Sequence, residues 1–265
     1  MKKWSGIAIL LLLMMSVLAA CGTKNEEDGE KASSANKDSD KKVLTMATSA
    51  DYPPFEYVDT AVSEEIIGFD IDLAKMIAEE LGYDLVIEDM DFNGLIPALQ
   101  AKSIDFVIAG MDGNDEERKK VIDFSAPYFT PTNLVITMKD LNIEKPEDLA
   151  GKKVGAQTAS IQEKGAVSIE ETYGYTVESR DRVPDLFQEI RSGHLDAIVI
   201  ADAVANGYLD ASEDLSSFEL PVEHKPALSI AFQKGSALTA EFDRVLKELQ
   251  DNGKIDELSI KWFGN

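Results

Sequence analysis

Two aromatic residues in a stiffened loop, and a third further along, are the side chains best suited to chemistry in this chain. The chemistry they suit is non-covalent capture of a small charged solute. Tyr52 and Phe55 lie in Asp51-Tyr52-Pro53-Pro54-Phe55, where two prolines restrict the backbone just after a strand-like run; Phe92 follows a second such run. Aromatic faces at strand ends can sandwich an aliphatic stem or stack on a guanidinium or ammonium group, each contact contributing roughly 0.5–2 kcal/mol. Core packing is the competing role for the same rings, more so for Phe55 than for Tyr52. Material for catalysis is scarce. His194 and His224 are the two histidines, neither beside a nucleophile signature, and no spacing of His, Cys and carboxylates suggests zinc. Gly110-Met111-Asp112-Gly113 lacks the lysine and hydroxyl of a phosphate loop. Glu56 and Asp112 are the thin candidates for an acid or base, and no cofactor or metal is expected.

The start of the chain reads as an address. Lys2 and Lys3 precede an apolar run from Ile7 to Leu13, and Leu18-Ala19-Ala20 leads into the single cysteine, Cys21. Residues 1–20 therefore read as a secretory signal peptide. The Leu-Ala-Ala-Cys ending resembles a bacterial lipobox, which implies that the mature chain begins at a lipidated Cys21 on the extracytoplasmic face of the cell membrane. Residues 21–42 contain no large apolar side chain and read as a flexible tether. One cysteine excludes an internal disulfide, and no later segment approaches the ~20 apolar residues needed to span a bilayer. Lys and Arg number 26 against 49 Asp and Glu, a net charge of −23 that argues against a nucleic-acid partner. The same acidity suits cationic solutes or simple solubility equally well.

Elements that could position these residues alternate along the rest of the chain. Strand-like runs fall at 43–47, 84–88, 105–109, 134–138, 153–157, 196–200 and 228–232, which predicts an α/β fold with mostly parallel strands. Leu73, Ile77 and Leu81 form a helical stripe ending at Gly82; Leu238, Phe242, Val245, Leu246 and Leu249 form another ending near Gly253. The stretch LIPALQAKSIDFVIAG (95–110) is echoed by LFQEIRSGHLDAIVIA (186–201), with Asp105 matching Asp196. We read the echo as two similar lobes, each offering strand ends to a shared crevice. The segment APYFTPT (126–132) and residues 221–226 are the expected crossings. One lobe would then hold residues 43–125 and 227–265 and the other 126–226, with a hinge between them.

Ordered motifs sharpen this picture. Ala50-Asp51-Tyr52-Pro53-Pro54-Phe55-Glu56, Gly68-Phe69-Asp70-Ile71-Asp72-Leu73-Ala74, Met90-Asp91-Phe92-Asn93-Gly94-Leu95, Glu117-Arg118-Lys119-Lys120 with Asp123-Phe124-Ser125, and Lys261-Trp262-Phe263-Gly264 follow one another. Their series resembles the polar amino-acid solute-binding proteins of ABC importers, a two-lobe periplasmic-binding-protein fold. The resemblance implies a monomeric receptor for a polar amino acid, with arginine, lysine and histidine as cationic candidates. It also implies a permease and its ATPase as partners, and membrane contact through the lipid alone. By the same resemblance Arg118 and Ser160 would hold the ligand carboxylate and Tyr52 and Phe92 its side chain. Asp202, Asp112 or Asp51 would meet the ammonium or a cationic side chain, and Ser49, Gly110 and Ile161 would complete the lining.

Three places depart from the family pattern. The stretch from Gly110 to Arg118 is one residue longer, Ala159 replaces a common glycine, and Ala201 stands where an acid commonly neutralises the α-ammonium, with Asp202 one place later. A dehydratase-like enzyme on the same scaffold and a solute sensor are the alternatives.

Overall fold

A computed structural model describes residues 42–264. The lipobox cysteine, the signal peptide and nearly all of the tether lie outside the described residues. The first half runs β1 (Val43–Thr48), β2 (Asp51–Tyr52), β3 (Glu56–Val58), β4 (Ile66–Ile67), α1 (Phe69–Leu81), β5 (Asp84–Asp89), α2 (Phe92–Gln100), β6 (Phe106–Val107), α3 (Glu116–Lys119) and β7 (Ile122–Phe129). The chain then makes β8 (Asn133–Met138), β9 (Lys153–Gln157), α4 (Ile161–Tyr173), β10 (Thr176–Arg180), α5 (Val183–Ser192), β11 (Ala197–Ala201), α6 (Asp202–Asp210) and β12 (Leu215–Glu219). It returns through β13 (Leu228–Gln233) and closes with α7 (Leu238–Asp251) and α8 (Lys254–Phe263).

Two five-stranded sheets result, ordered β5-β1-β6-β13-β7 and β10-β9-β11-β8-β12. β1 pairs in parallel with β5 and β6, and β9 with β10 and β11. As expected, most strands are parallel: in each of these sheets four strands run one way and one runs against them. β13 runs antiparallel to β6 and β7, and β8 runs antiparallel to β11 and β12. Each of those two strands enters its sheet from the other half of the chain, with no crossover helix to turn it parallel.

Burial explains why the strands sit where they do. Met46 and Ala47 in β1 are both fully buried, as a central strand covered on two faces requires. Leu73, Ala74 and Ile77 give α1 its buried stripe, and Gly82 ends it in the left-handed conformation at φ 75°. Gly68 precedes that helix at φ 137°, where a Cβ would stand 2.0 Å from the Phe55 carbonyl oxygen, so only glycine fits. The 95–110 and 186–201 echo has a bonded counterpart. Thr45 N donates to Asp105 Oδ2 at 2.7 Å and Lys153 N to Asp196 Oδ2 at 2.9 Å, and each aspartate's own N–H returns a bond to the same partner's carbonyl. Strand β6 is shorter than the 105–109 run suggested. Its ladder stops at Val107 because the chain turns at Gly110 (φ 53°) to donate to Asp70 Oδ2 at 2.9 Å.

Candidate functional site

The ends of β1, β2, α2, α3 and α4 converge on one small pocket, its walls close together. Its wall contains Ser49, Asp51, Tyr52, Phe92, Gly110, Asp112, Arg118, Ser160 and Ile161 from the sequence reading, joined by Glu56, Ala109, Gln157 and Gln162. Asp202 stands elsewhere and lines a separate cavity with Pro53, Pro54, Phe129, Trp262 and Phe263.

Arg118 is 7 % exposed and is positioned by the short helix α3. Asp115 caps that helix, accepting from Glu117 N at 2.8 Å and Arg118 N at 3.3 Å. The Arg118 guanidinium lies 5.5 Å from the Phe92 ring centroid and donates to the carbonyls of Asp112 at 3.3 Å and Ala159 at 2.9 Å. Burial pulls its pKa down, while Asp115 and Asp112 oppose that shift. The two carbonyls fix the guanidinium without neutralising it, and Asp115 Oδ2, 3.8 Å from its Nε, pairs with the edge away from those bonds only at long range.

Facing Arg118 is the start of α4. Ser160 is its N-cap, accepting from Glu163 N at 3.1 Å, and the helix terminus favours negative charge. Ala159 adopts φ 63°, a left-handed conformation natural to the glycine it replaces.

Tyr52 is buried, stacks on Phe55 at 6.0 Å and accepts a long bond from Ala201 N at 3.4 Å. Phe55 is fully buried against Phe69, Phe129 and Phe263 and serves the core. Asp51 accepts from Ser49 Oγ at 3.1 Å and from Val183 N of α5 at 2.8 Å. Burial raises its pKa to about 6, against those two bonds and Arg182.

The remaining carboxyls divide sharply. Asp112 is 1 % exposed, with Oδ1 accepting from Asn114 N and Ala227 N at 3.0 and 2.8 Å and Oδ2 meeting His224 Nε2 at 2.7 Å. Its carboxylate is committed to the return crossing. Asp202 is likewise engaged, accepting from Ala203 N at 2.7 Å and Thr132 Oγ1 at 2.8 Å. Glu56, by contrast, is 1 % exposed and neither of its oxygens meets a donor. Burial and the neighbouring Asp70 push its pKa well above the usual carboxylate range. Asp70, fully buried, accepts from Gly110 N and from Tyr128 Oη at 2.8 Å, and burial raises it to about 6. Sequence reasoning gave Glu56 no part in binding, although it closes the Pro-Pro-Phe-Glu motif.

Bonds across the pocket tie the two sheets together. Besides Asp51 to Val183 and Arg118 to Ala159, Arg182 bonds Asp89 and Asp91 at 3.0 and 2.7 Å, Asn93 donates to Asp181, and Lys164 meets Asp115 at 3.0 Å.

The model of bacterial extracellular solute-binding proteins, family 3, matches residues 44–265. The arginine-binding extracellular protein ArtP of Bacillus subtilis is 42% identical over 99% of this chain and 98% of its own. An ancestral arginine-binding protein bound to arginine superposes with a TM-score of 0.78 at 38% identity, covering 84% of this chain and 99% of that one. The arginine-, lysine-, histidine-binding protein ArtJ of Geobacillus stearothermophilus gives a TM-score of 0.78 at 30% identity, over 84% and 96% of the two chains. With a family match over nearly all the described residues, this chain belongs to the bacterial extracellular solute-binding proteins of family 3.

Proposed function

We propose that this protein is the receptor of an ABC importer for arginine, anchored by a lipid on Cys21 outside the cell membrane. One observation carries the choice of ligand: the pocket sets a buried guanidinium, Arg118, against buried carboxyls at Glu56 and Asp51, with Tyr52 and Phe92 in the same wall. Arg118 and the N-cap of α4 suit a carboxylate, the aromatic rings an alkyl stem, and the two carboxyls the cationic groups of a basic amino acid. Asp51 and Glu56 take the part that the sequence reading shared among Asp51, Asp112 and Asp202, because Asp202 lines a separate cavity and Asp112 accepts three bonds around the return crossing, against two at Asp51 and none at Glu56. The lobes, residues 43–125 with 227–265 and 126–226, would pivot on the crossings and close over the ligand, and the permease would receive that closed form. The names of ArtP and ArtJ support a basic amino acid, and no positioned acid–base and nucleophile pair in the pocket favours turnover.

A thermal-shift and calorimetric screen of the proteinogenic amino acids tests the reading. Arginine is expected to bind most tightly and to raise the melting temperature by mass action. Silence from arginine, lysine and histidine together would overturn it. The anchor has its own test. Cys21→Ala should leave the protein shed or held as uncleaved precursor, whereas normal processing and membrane retention would exclude lipidation at Cys21.

A further inference from the structure

We propose that Asp70, which does not line the pocket, sets its charge selectivity through Glu56: the two carboxyls hold one proton between them in the free site, and an entering cation displaces it. The inference rests on the arginine reading above and adds to it that capture of the ligand releases a proton.

The geometry leads there directly. Glu56 and Asp70 are neighbours, Asp70 N donating to the Phe55 carbonyl at 2.9 Å; both are essentially inaccessible to water, and neither Glu56 oxygen nor Asp70 Oδ1 accepts from another group. Two carboxylates in such a position cannot both stay ionised without a cation. Among the described residues of the pocket wall the single cation is Arg118, already engaged by two carbonyls and by Asp115. The other groups facing the pair add no positive charge. Asp51 and Tyr52 approach from β2, and Tyr128 from β7 donates its hydroxyl to Asp70. The direction of the Glu56 shift agrees, with burial as its main cause and Asp70 second.

The exchange balances simply. The Glu56 carboxylic acid loses its proton to solvent, the carboxylate pairs with the incoming cation, and no other bond changes. With the side chain of the ligand at Glu56 and its α-ammonium at Asp51, an uncharged side chain cannot drive that loss, so a neutral amino acid meets an acid group that stays protonated. Arginine affinity should therefore rise with pH, approaching a tenfold gain per pH unit while the free pair keeps its proton, and then level off.

Calorimetry of the mature protein with arginine near neutral pH, in buffers of differing ionisation enthalpy, counts the protons. Release of about one proton is expected, and Glu56→Gln should abolish it. Asp70→Asn should move the levelling-off of affinity to lower pH. Tight arginine binding without proton release overturns the inference while leaving the arginine reading intact, and an unmoved pH profile in Asp70→Asn removes Asp70 from it. If arginine fails but lysine binds, the ligand reading falls and the same proton count with lysine decides the inference. If no basic amino acid binds, both fall.

Discussion

Arg118 shows how much of the site a motif can reveal and where it stops. Its place before Lys119-Lys120 and Asp123-Phe124-Ser125 marked it in the sequence, and the structure buries it in the pocket wall. Removing one member of a buried charge pair typically costs about 2–5 kcal/mol, so Arg118→Ala should weaken arginine binding at least ~30-fold by calorimetry. Tyr52→Ala or Phe92→Ala should weaken it by about 1–3 kcal/mol, or roughly 5- to 150-fold. Glu56 was illegible as a binding group for a physical reason. A glutamate that opens a short strand just after a proline-stiffened loop looks like surface, and only tertiary packing makes it a buried acid with no donor. Its raised pKa has a definite sign for stability. The folded state keeps a proton that the unfolded chain loses above its ordinary pKa, so Glu56 destabilises the ligand-free protein progressively as pH rises through that interval. Asp51 and Asp70 do the same between about 3.8 and about 6. The melting temperature of ligand-free Glu56→Gln should therefore gain on the natural protein as pH increases; a gap that shrinks with pH would contradict the burial argument.

Helix ends carry more of the site than the helices themselves. In α3, Asp115 is both the cap that holds Arg118 in register and the acceptor of Lys164 from α4. In the sequence Asp115-Glu116-Glu117 is simply three acids in a row, because capping depends on a backbone turn that residue types alone leave ambiguous. At α4 the departure at Ala159 was visible in the sequence, but its conformational consequence was not. An alanine held at φ 63° is strained by roughly 1–2 kcal/mol relative to glycine, offset by glycine's greater freedom in the unfolded chain. Ala159→Gly should thus raise the melting temperature of the ligand-free protein slightly and leave arginine binding within about twofold, as thermal melts and calorimetry would show. A loss of stability would mean that the alanine methyl packs more favourably than its backbone is strained. The helical stripes and most strands were legible from periodicity. The brevity of β6 was not, because Ile108 and Ala109 continue the apolar run while Gly110 leads the backbone away to Asp70.

Across the protein, the paired-sheet architecture followed from the alternation of elements and the repeated helix-turn-strand unit, and the bonded clasps at Asp105 and Asp196 give that repeat a physical basis. The antiparallel strands contributed by the crossings were hidden, since a strand's direction depends on which sheet receives it. Nor did the sequence reveal that Arg182, in an ordinary polar stretch, bridges Asp89 and Asp91 at the rim of the pocket. These groups are partly exposed, which keeps the contribution of each bond modest and sensitive to salt. Arg182→Ala should shift the ligand-free protein toward a more open average shape in small-angle scattering at low salt, with the difference shrinking as salt is added. Identical scattering at low salt would mean that the rim bonds do not influence closure.

The enclosure of the pocket by both halves of the chain has a kinetic consequence. Ser160 and Ile161 stand on one side and Tyr52 and Phe92 on the other, all of them buried, so a solute held there would be covered from both sheets. Dissociation must wait for the walls to part, so the residence time is governed by an opening step as well as by the contacts the solute makes. Rim residues outside the pocket lining, Arg182 foremost, therefore act as its clock: loosening them should quicken escape and, by opening the ligand-free form, arrival as well.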